Sequence, residues 1–159
     1  MTLQIRRVVT GHDSEGRAVV LHDGIAPNVV SRRDKHSSCV VWSTDRFPSD
    51  NSAAAEAAGA RAVVGTDPGG SVFRIGRYEP GVASRNHRTE SLDYAVIISG
   101  EIEMTLDTET VTLRQGDVLV QRGTIHDWIN RGTEPCIIAF VLLAAEPVVA
   151  GDRVLSATG

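Results

Sequence analysis

The sequence predicts an all-β chain folded as an antiparallel sandwich or small barrel. From residue 70 onward, β-rich runs alternate with turn signals spaced about 8 to 12 residues apart. No helical pattern separates those runs, which excludes βαβ units. The apolar share is 42%, yet aromatic residues make up only 4% and glycines number 15, which points to many turns around a core of Val, Ile, Leu and Ala. A length of 159 residues suits one domain and needs no disulfide or metal to hold its core.

The first element is a hairpin. Ile5-Arg6-Arg7-Val8-Val9-Thr10 and Arg17-Ala18-Val19-Val20-Leu21-His22 are β-rich, and the turn formers Gly11-His12-Asp13-Ser14-Glu15-Gly16 join them. Cys39-Val40-Val41-Trp42-Ser43 is the next strand, after a polar stretch. Pro48-Ser49-Asp50-Asn51-Ser52 then opens a segment without strand pattern, in which 53–60 is the one helix candidate, with Ser52 as N-cap and Gly59 as its stop. Strands follow at 71–78, 92–99, 101–106, 110–113, 117–121, 127–130 and 137–143, punctuated by Pro80-Gly81, Ser99-Gly100, Asp107-Thr108, Gln115-Gly116, Arg122-Gly123 and Arg131-Gly132. The expected organisation is a single domain: N-terminal strands and loops over 1–70, a barrel core over 71–146 and a tail over 147–159.

Sixteen Lys and Arg against twenty Asp and Glu leave a net charge of −4, and the basic residues are scattered, so nucleic acid is excluded as a partner. Cys39 and Cys136 lie far apart and form no C-x-x-C pair, which fits reduced thiols in a cytoplasmic protein rather than a disulfide framework or cysteine zinc site. The basic N-terminus has no apolar run behind it, so no secretion signal is expected. The longest apolar run, 136–145, is about half of the ~20 residues needed to cross a bilayer and reads as a buried strand.

Two clusters carry chemistry. In an extended strand His87, Thr89, Ser91 and Asp93 share a face, which collects an imidazole, two hydroxyls and a carboxylate; the same parity continues into the apolar Ala95 and Ile97. That change from polar to apolar fits a barrel with a polar pocket toward one mouth. In the second cluster His126, Trp128 and Asn130 share a face, and Gln121 shares one with Leu119. His12, His22 and His36 lie in loops or at strand ends and are expected to be solvated or hydrogen-bonded histidines without a functional role. Tyr94 is expected in the core between sheets or in a subunit contact, and Asn130, Gly81, Gly100, Gly116 and Gly123 as turn residues.

These clusters resemble the paired motifs of the cupin superfamily. Gly81, His87 and Gly100 fall at the spacing of its first motif, with Thr89 where a second His belongs and Asp93 where a Glu belongs. Gly116, Gly123, His126 and Asn130 match its second motif with a one-residue contraction, and Gln121 takes the place of a Pro. The strings His-Arg-Thr-Glu-Ser-Leu-Asp-Tyr and Gln-Arg-Gly-Thr-Ile-His-Asp-Trp look like a small bacterial cupin subgroup. The resemblance implies an antiparallel double-stranded β-helix, or jelly-roll barrel, with the N-terminal hairpin as an extension. It further implies a divalent metal ion (Fe, Mn, Ni or Zn) on His87, Asp93 and His126, with Thr89 as a weak oxygen ligand or the point where a water or substrate oxygen enters.

On that reading the chain is a small-molecule metabolic enzyme. The metal acts as a Lewis acid or oxygen-activating centre for lyase, decarboxylase, isomerase or dioxygenase chemistry, and Thr89, Ser91, Gln121 and Trp128 contact the substrate. Two alternatives stay open: a metal-free enzyme in which a His87 or His126 imidazole oriented by Asp93 moves a proton, and a non-catalytic module that holds a small ligand. A homodimer is expected, because a hairpin carrying Val8, Val9, Val19, Val20 and Leu21 would otherwise be a sticky edge.

Overall fold

The computed structural model describes residues 3–52, 66 and 68–159. The helix candidate at 53–60 lies outside the described residues. In chain order the strands are β1 (Arg6–His12), β2 (Ala18–Ile25), β3 (Val29–Arg33), β4 (His36–Thr44), β5 (Ser71–Tyr78), β6 (Ser91–Ser99), β7 (Glu101–Thr105), β8 (Thr110–Arg114), β9 (Val118–Arg122), β10 (Asp127–Ile129), β11 (Cys136–Ala144), β12 (Val148–Ala150) and β13 (Arg153–Leu155). The all-β expectation therefore holds, and strand boundaries fall within a few residues of those the turn signals imply.

A six-stranded sheet in the order β3-β4-β5-β11-β6-β9 and a three-stranded sheet β10-β7-β8 enclose the main core, with every strand pair antiparallel. Strand alternation decides what goes inside. Along β6 Ser91, Asp93, Ala95 and Ile97 are buried, while Tyr94, Val96 and Ile98 face out. The parity expected from the sequence is thus observed in this strand, but Tyr94 is 45% exposed and is not a core residue. On β11 Cys136, Ile138, Phe140 and Leu142 turn inward to meet Ile102 and Met104 of β7 and Trp128 of β10. Each such large apolar side chain, fully buried, contributes about 1.5–3 kcal/mol.

Leu3, Ala26, Cys39 and Ile75 form a smaller core. Both cysteines are free and buried, and burial pushes the Cys136 thiol up to about 12. Gly100 makes the β6–β7 turn at φ 78°, where a Cβ would lie 2.5 Å from the Pro135 carbonyl oxygen. Among the described residues no helix is long and apolar enough to cross a membrane.

The expected hairpin forms as a separate two-stranded sheet, β1 with β2. The carboxylate of Asp13 closes its turn by accepting the backbone N–H of Glu15 and of Arg17. Two features were not expected. Strand β3 is short and ends in Ser31-Arg32-Arg33, so it reads as polar loop in sequence, yet it extends the main sheet beyond β4. The segment after residue 146 is not a plain tail: β12 and β13 pair, and Thr158 exchanges both backbone hydrogen bonds with Arg88.

Candidate active site

The two motif histidines meet. His87, in the segment between β5 and β6, and His126, just before β10, form an isolated antiparallel bridge in which each backbone N–H donates to the other's carbonyl at 2.9 Å. Their rings lie 4.2 Å apart between centroids at 46°. Asp127 holds this arrangement in place. Its buried carboxylate accepts the Arg85 N–H at 2.8 Å, the Trp128 N–H at 2.7 Å and the Ser84 hydroxyl, so it staples the 84–85 segment to the start of β10. The C-terminal segment braces the outer side: Ala157 N–H donates to the Glu90 carboxylate at 3.0 Å, and the Arg85 guanidinium donates to the Gly159 carbonyl oxygen at 3.1 Å.

Backbone carbonyls set the state of both rings. The Nδ1 of His87 lies 2.8 Å from the Arg85 carbonyl oxygen, and that of His126 lies 3.0 Å from the Thr124 carbonyl oxygen. A carbonyl only accepts, so each Nδ1 carries its proton and each Nε2 presents a lone pair in the neutral ring. The surroundings of the Nε2 atoms differ. The Gln121 amide nitrogen packs on the His126 ring, 3.3 Å from Nε2 and 2.8 Å from Nδ1. With Nδ1–H committed to Thr124, Nε2 is the atom able to take the amide proton. His87 has no such cover and lines an open cavity.

Both rings stay neutral at pH 7. Burial pushes His126 down to about 4, with the His87 and Arg74 charges adding to that and the Thr124 bond and Asp127 opposing it. Burial also lowers His87, helped by Arg85, Arg74 and Arg33 and opposed by its bond to the Arg85 carbonyl.

Asp93 stands apart from the pair. Its carboxylate accepts the Ser91 hydroxyl at 2.5 Å, and Ser91 also lies 2.8 Å from the Thr89 hydroxyl. It sits opposite Gln121 across the β6–β9 ladder, and Gln121 in turn packs on His126. Burial raises its carboxyl, while the Ser91 bond and the Arg74 charge lower it. Thr89 and Ser91 line a different, smaller cavity of about 240 Å³ with Leu92, Arg122, Gly123 and Val148.

The single strand face expected for His87, Thr89, Ser91 and Asp93 is therefore broken at His87: Thr89, Ser91 and Asp93 stay linked through their side-chain oxygens, whereas His87 lies before β6 and is carried away by its bridge to His126. Among the described residues no group of three or more His, Cys, Asp and Glu side chains is arranged to hold a metal ion. The donors present do not fit the implied His87–Asp93–His126 centre, because they offer two imidazoles together and a carboxylate already engaged by a hydroxyl elsewhere.

The cavity beside His87 has a volume of about 390 Å³, at the small end of the ~300–1,000 Å³ typical of ligand pockets. Trp128 lines it, packing against Phe140 at 5.6 Å and His126 at 6.0 Å between ring centroids. Most of the opposite wall comes from strands outside the motifs. In β4 His36, Ser38 and Val40 alternate onto the cavity face, opposite Tyr78, Gly76 and Arg74 of β5. Beyond them Val30 pairs with Ser38 and Arg33 with His36, and the register shift between these pairs brings both Arg32 and Arg33 to the lining.

His36 stands at a strand end, as the sequence implied, but it also lines the cavity, which the sequence did not announce. It stacks edge-on against Tyr78 at 4.8 Å and is pushed down to about 4 by burial, then by Arg33, Arg74 and Arg85. The signal that could have found it was the alternation of His36, Ser38 and Val40 in the run leading into Cys39-Val40-Val41.

Comparison with known proteins agrees with this architecture. The family model described as "Cupin domain" matches residues 74–142. A "Cupin-domain-containing oxidoreductase", fogC of Aspergillus ruber, is 40% identical, with 94% of this chain and 77% of that protein aligned. "Phomopsin biosynthesis cluster protein C'" of Diaporthe leptostromiformis is 36% identical over 94% of this chain and 83% of its own length. Among solved structures, an uncharacterized conserved protein with a double-stranded β-helix domain from Klebsiella pneumoniae superposes with a TM-score of 0.52 at 21% identity, covering 74% of this chain and 84% of that one. KdgF from Halomonas sp. superposes with a TM-score of 0.51 at 14% identity, covering 72% and 86%. These structures share the fold. Paired motifs meeting at His87 and His126, the cupin-domain match and a 40%-identical cupin-domain relative aligned over 94% of this chain and 77% of its own length together establish that this chain belongs to the cupin family.

Proposed function

We propose that the chain is a small-molecule enzyme in which His87 moves a proton to and from a substrate held in the 390 Å³ cavity. One observation carries this reading: a neutral imidazole, fixed by the Arg85 carbonyl so that its Nε2 lone pair is free, lines a cavity large enough for a small organic molecule. A general base must have that lone pair within reach of the proton it takes, and it must be uncharged when it does so. His126 and Gln121 support the ring from behind, and Trp128 and Tyr78 supply flat apolar walls. Relatives from Aspergillus ruber and Hypocrea virens carry "oxidoreductase" in their names, and accepting a C–H or O–H proton from substrate is the share of such a reaction that side chains can supply. Of the readings open from sequence, acid–base catalysis is favoured because His87, anchored at Nδ1 by the Arg85 carbonyl and set on the cavity, needs no further group to take a proton.

The test is solvent deuterium exchange into a panel of small carbonyl compounds, followed by proton NMR with the intact protein and with His87→Gln. The expected result is exchange that survives chelation by EDTA and falls about 10²- to 10⁴-fold in the variant. Exchange unchanged by His87→Gln overturns the reading, as does exchange lost on chelation and restored by a divalent metal. The same reading keeps a homodimer, since the β1–β2 hairpin presents Val8, Val20, Leu21 and Ile25 to solvent; a monomer in light scattering at micromolar concentration refutes that part.

A further inference from the structure

We propose that His36, with Ser38 beside it on β4, holds the substrate's oxygen while His87 takes the proton: both side chains donate hydrogen bonds to the carbonyl oxygen of a small planar aldehyde or ketone and stabilise the enolate formed from it. The inference rests on the reading that His87 is the base, and it adds a second catalytic residue and the chemical class of substrate.

Strand alternation puts His36 and Ser38 on the cavity face of β4, both half-buried. Among the described residues neither the ring nitrogens of His36 nor the Ser38 hydroxyl has a hydrogen-bond partner, and these atoms are not sealed in the core but open onto the cavity. Neighbouring polar groups are engaged. The Asn28 amide donates to the Val40 carbonyl oxygen at 2.8 Å, and the Ser31 hydroxyl donates to the His36 carbonyl oxygen at 2.8 Å. His87 and His126 each give Nδ1 to a backbone carbonyl, so of the three histidines at the site it is His36 that keeps both nitrogens for a ligand. Convergent polar groups on an otherwise apolar concave wall are what fix a small molecule's orientation.

The ring is held although its nitrogens are free. Its backbone pairs with Arg33 of β3 on one side and Tyr78 of β5 on the other, and the ring packs edge-on against Tyr78 at 64°. Ring contacts then continue around the cavity, from Tyr78 to Trp128 at 6.3 Å, from Trp128 to His126 at 6.0 Å and from His126 to His87 at 4.2 Å between centroids. His36 and His87 therefore address one space from the two ends of an arc of rings. A planar body fits between flat walls, and an enolate is planar.

A neutral imidazole carries one N–H, so His36 can donate to an oxygen without being charged. In the reaction the C–H bond beside the carbonyl breaks, and its proton goes to Nε2 of His87. The electron pair left behind forms the carbon–carbon double bond, and the carbonyl π pair moves onto oxygen. Hydrogen bonds from His36 and Ser38 strengthen as that oxygen gains charge, which is the point at which they lower the barrier. Return of a proton or solvent deuteron from His87 restores the carbonyl, with no oxidant or second reactant consumed.

Acetophenone labelled at its carbonyl carbon tests this on the intact protein and on His36→Phe, His36→Gln, Ser38→Ala and His87→Gln, each first checked for an unchanged melting transition. Two readouts are taken: the infrared carbonyl stretch of the bound probe, and solvent deuterium entering its methyl group at saturating probe. The bound stretch is expected at lower frequency than in hydrocarbon solvent. His36→Phe should remove most of that shift and slow exchange about 10²- to 10³-fold. His36→Gln, which keeps an N–H donor, should recover part of both, and Ser38→Ala should lose less of each. The inference is overturned if acetophenone does not bind, if its stretch is unshifted, or if either readout is indifferent to His36→Phe. His87→Gln separates the two readings. Exchange lost with the shifted stretch retained supports both; exchange indifferent to His87→Gln, with the stretch still following His36, removes the base and keeps His36 on the oxygen; a stretch indifferent to His36, with exchange still dependent on His87, overturns this inference alone.

Discussion

The two walls of the cavity come from different stretches of the chain and are built on different physics. One wall, Arg85, His87 and Trp128 with His126 packed behind His87, is largely aromatic, and it is assembled by a bridge between segments about 40 residues apart, stapled by Asp127. The other, on β3, β4 and β5, is cationic and is assembled by ordinary strand alternation in the main sheet. The difference teaches that chemistry and recognition are separable here. The stapled wall depends on a few buried hydrogen bonds and is sensitive to single changes, whereas the sheet wall rests on long ladders and tolerates changes of side chain with little loss of fold.

Breaking the staple is expected to have the largest effect. Asp127→Ala leaves the Arg85 and Trp128 N–H groups without their acceptor and should destabilise the protein by about 3–5 kcal/mol, read as a lower urea midpoint, with deuterium exchange lost as well. Arg33→Gln, on the sheet wall, should leave the urea midpoint nearly unchanged, since it removes one bond to the Ala83 carbonyl.

Acid titration sharpens the same contrast. The unfolded chain protonates His126 near 6.5, and the folded ring accepts a proton only at about 4, so the unfolded state binds more protons between those values. Stability is therefore lost as pH falls below about 6.5, and the loss is complete below about 4, amounting to about 3 kcal/mol for His126. His36, shifted the same way and less enclosed, adds a smaller loss over the same window. Asp93 has the opposite sign: its folded carboxyl keeps its proton above the unfolded value, so acidification recovers part of what burial of that charge costs. His126→Gln should flatten the profile of urea midpoint against pH between 4 and 6.5.

Gly76→Ala probes the sheet wall by volume. The added Cβ would lie 3.0 Å from Tyr78 Cε2 and 3.5 Å from Phe140 Cε2, so the rings must give slightly, and a loss of about 1–2 kcal/mol in chemical denaturation is expected. The smallest effect belongs outside both walls. The exposed Arg6–Asp23 pair on the hairpin, 2.6 Å apart, should be removable by Arg6→Ala with no resolvable shift in the melting transition.

The stapled wall was legible in sequence and the cationic wall was not. Gapped motifs announce His87 and His126 because glycine turns and a histidine at fixed offsets constrain where the chain can go. Strand parity correctly turned Ser91, Asp93, Ala95 and Ile97 inward. Parity failed at His87 because it assumes an unbroken strand, and the backbone leaves the sheet before Ser91 so that His87 can pair with His126. Arg32 and Arg33 read as polar loop because adjacent residues of a regular strand face opposite ways; only a register shift allows both to line one cavity. His36 and Arg74 are unremarkable alone and become neighbours of the site through the ladder between β4 and β5.

By itself, the order of residues determined that this chain is built of antiparallel strands closed by glycine turns, because alternation and turn chemistry act over a few neighbouring residues. Tertiary structure decided what the cavity contains. Which groups share that space depends on register between strands far apart in the chain, and a shift of one residue there exchanges a cation for a side chain on the other face.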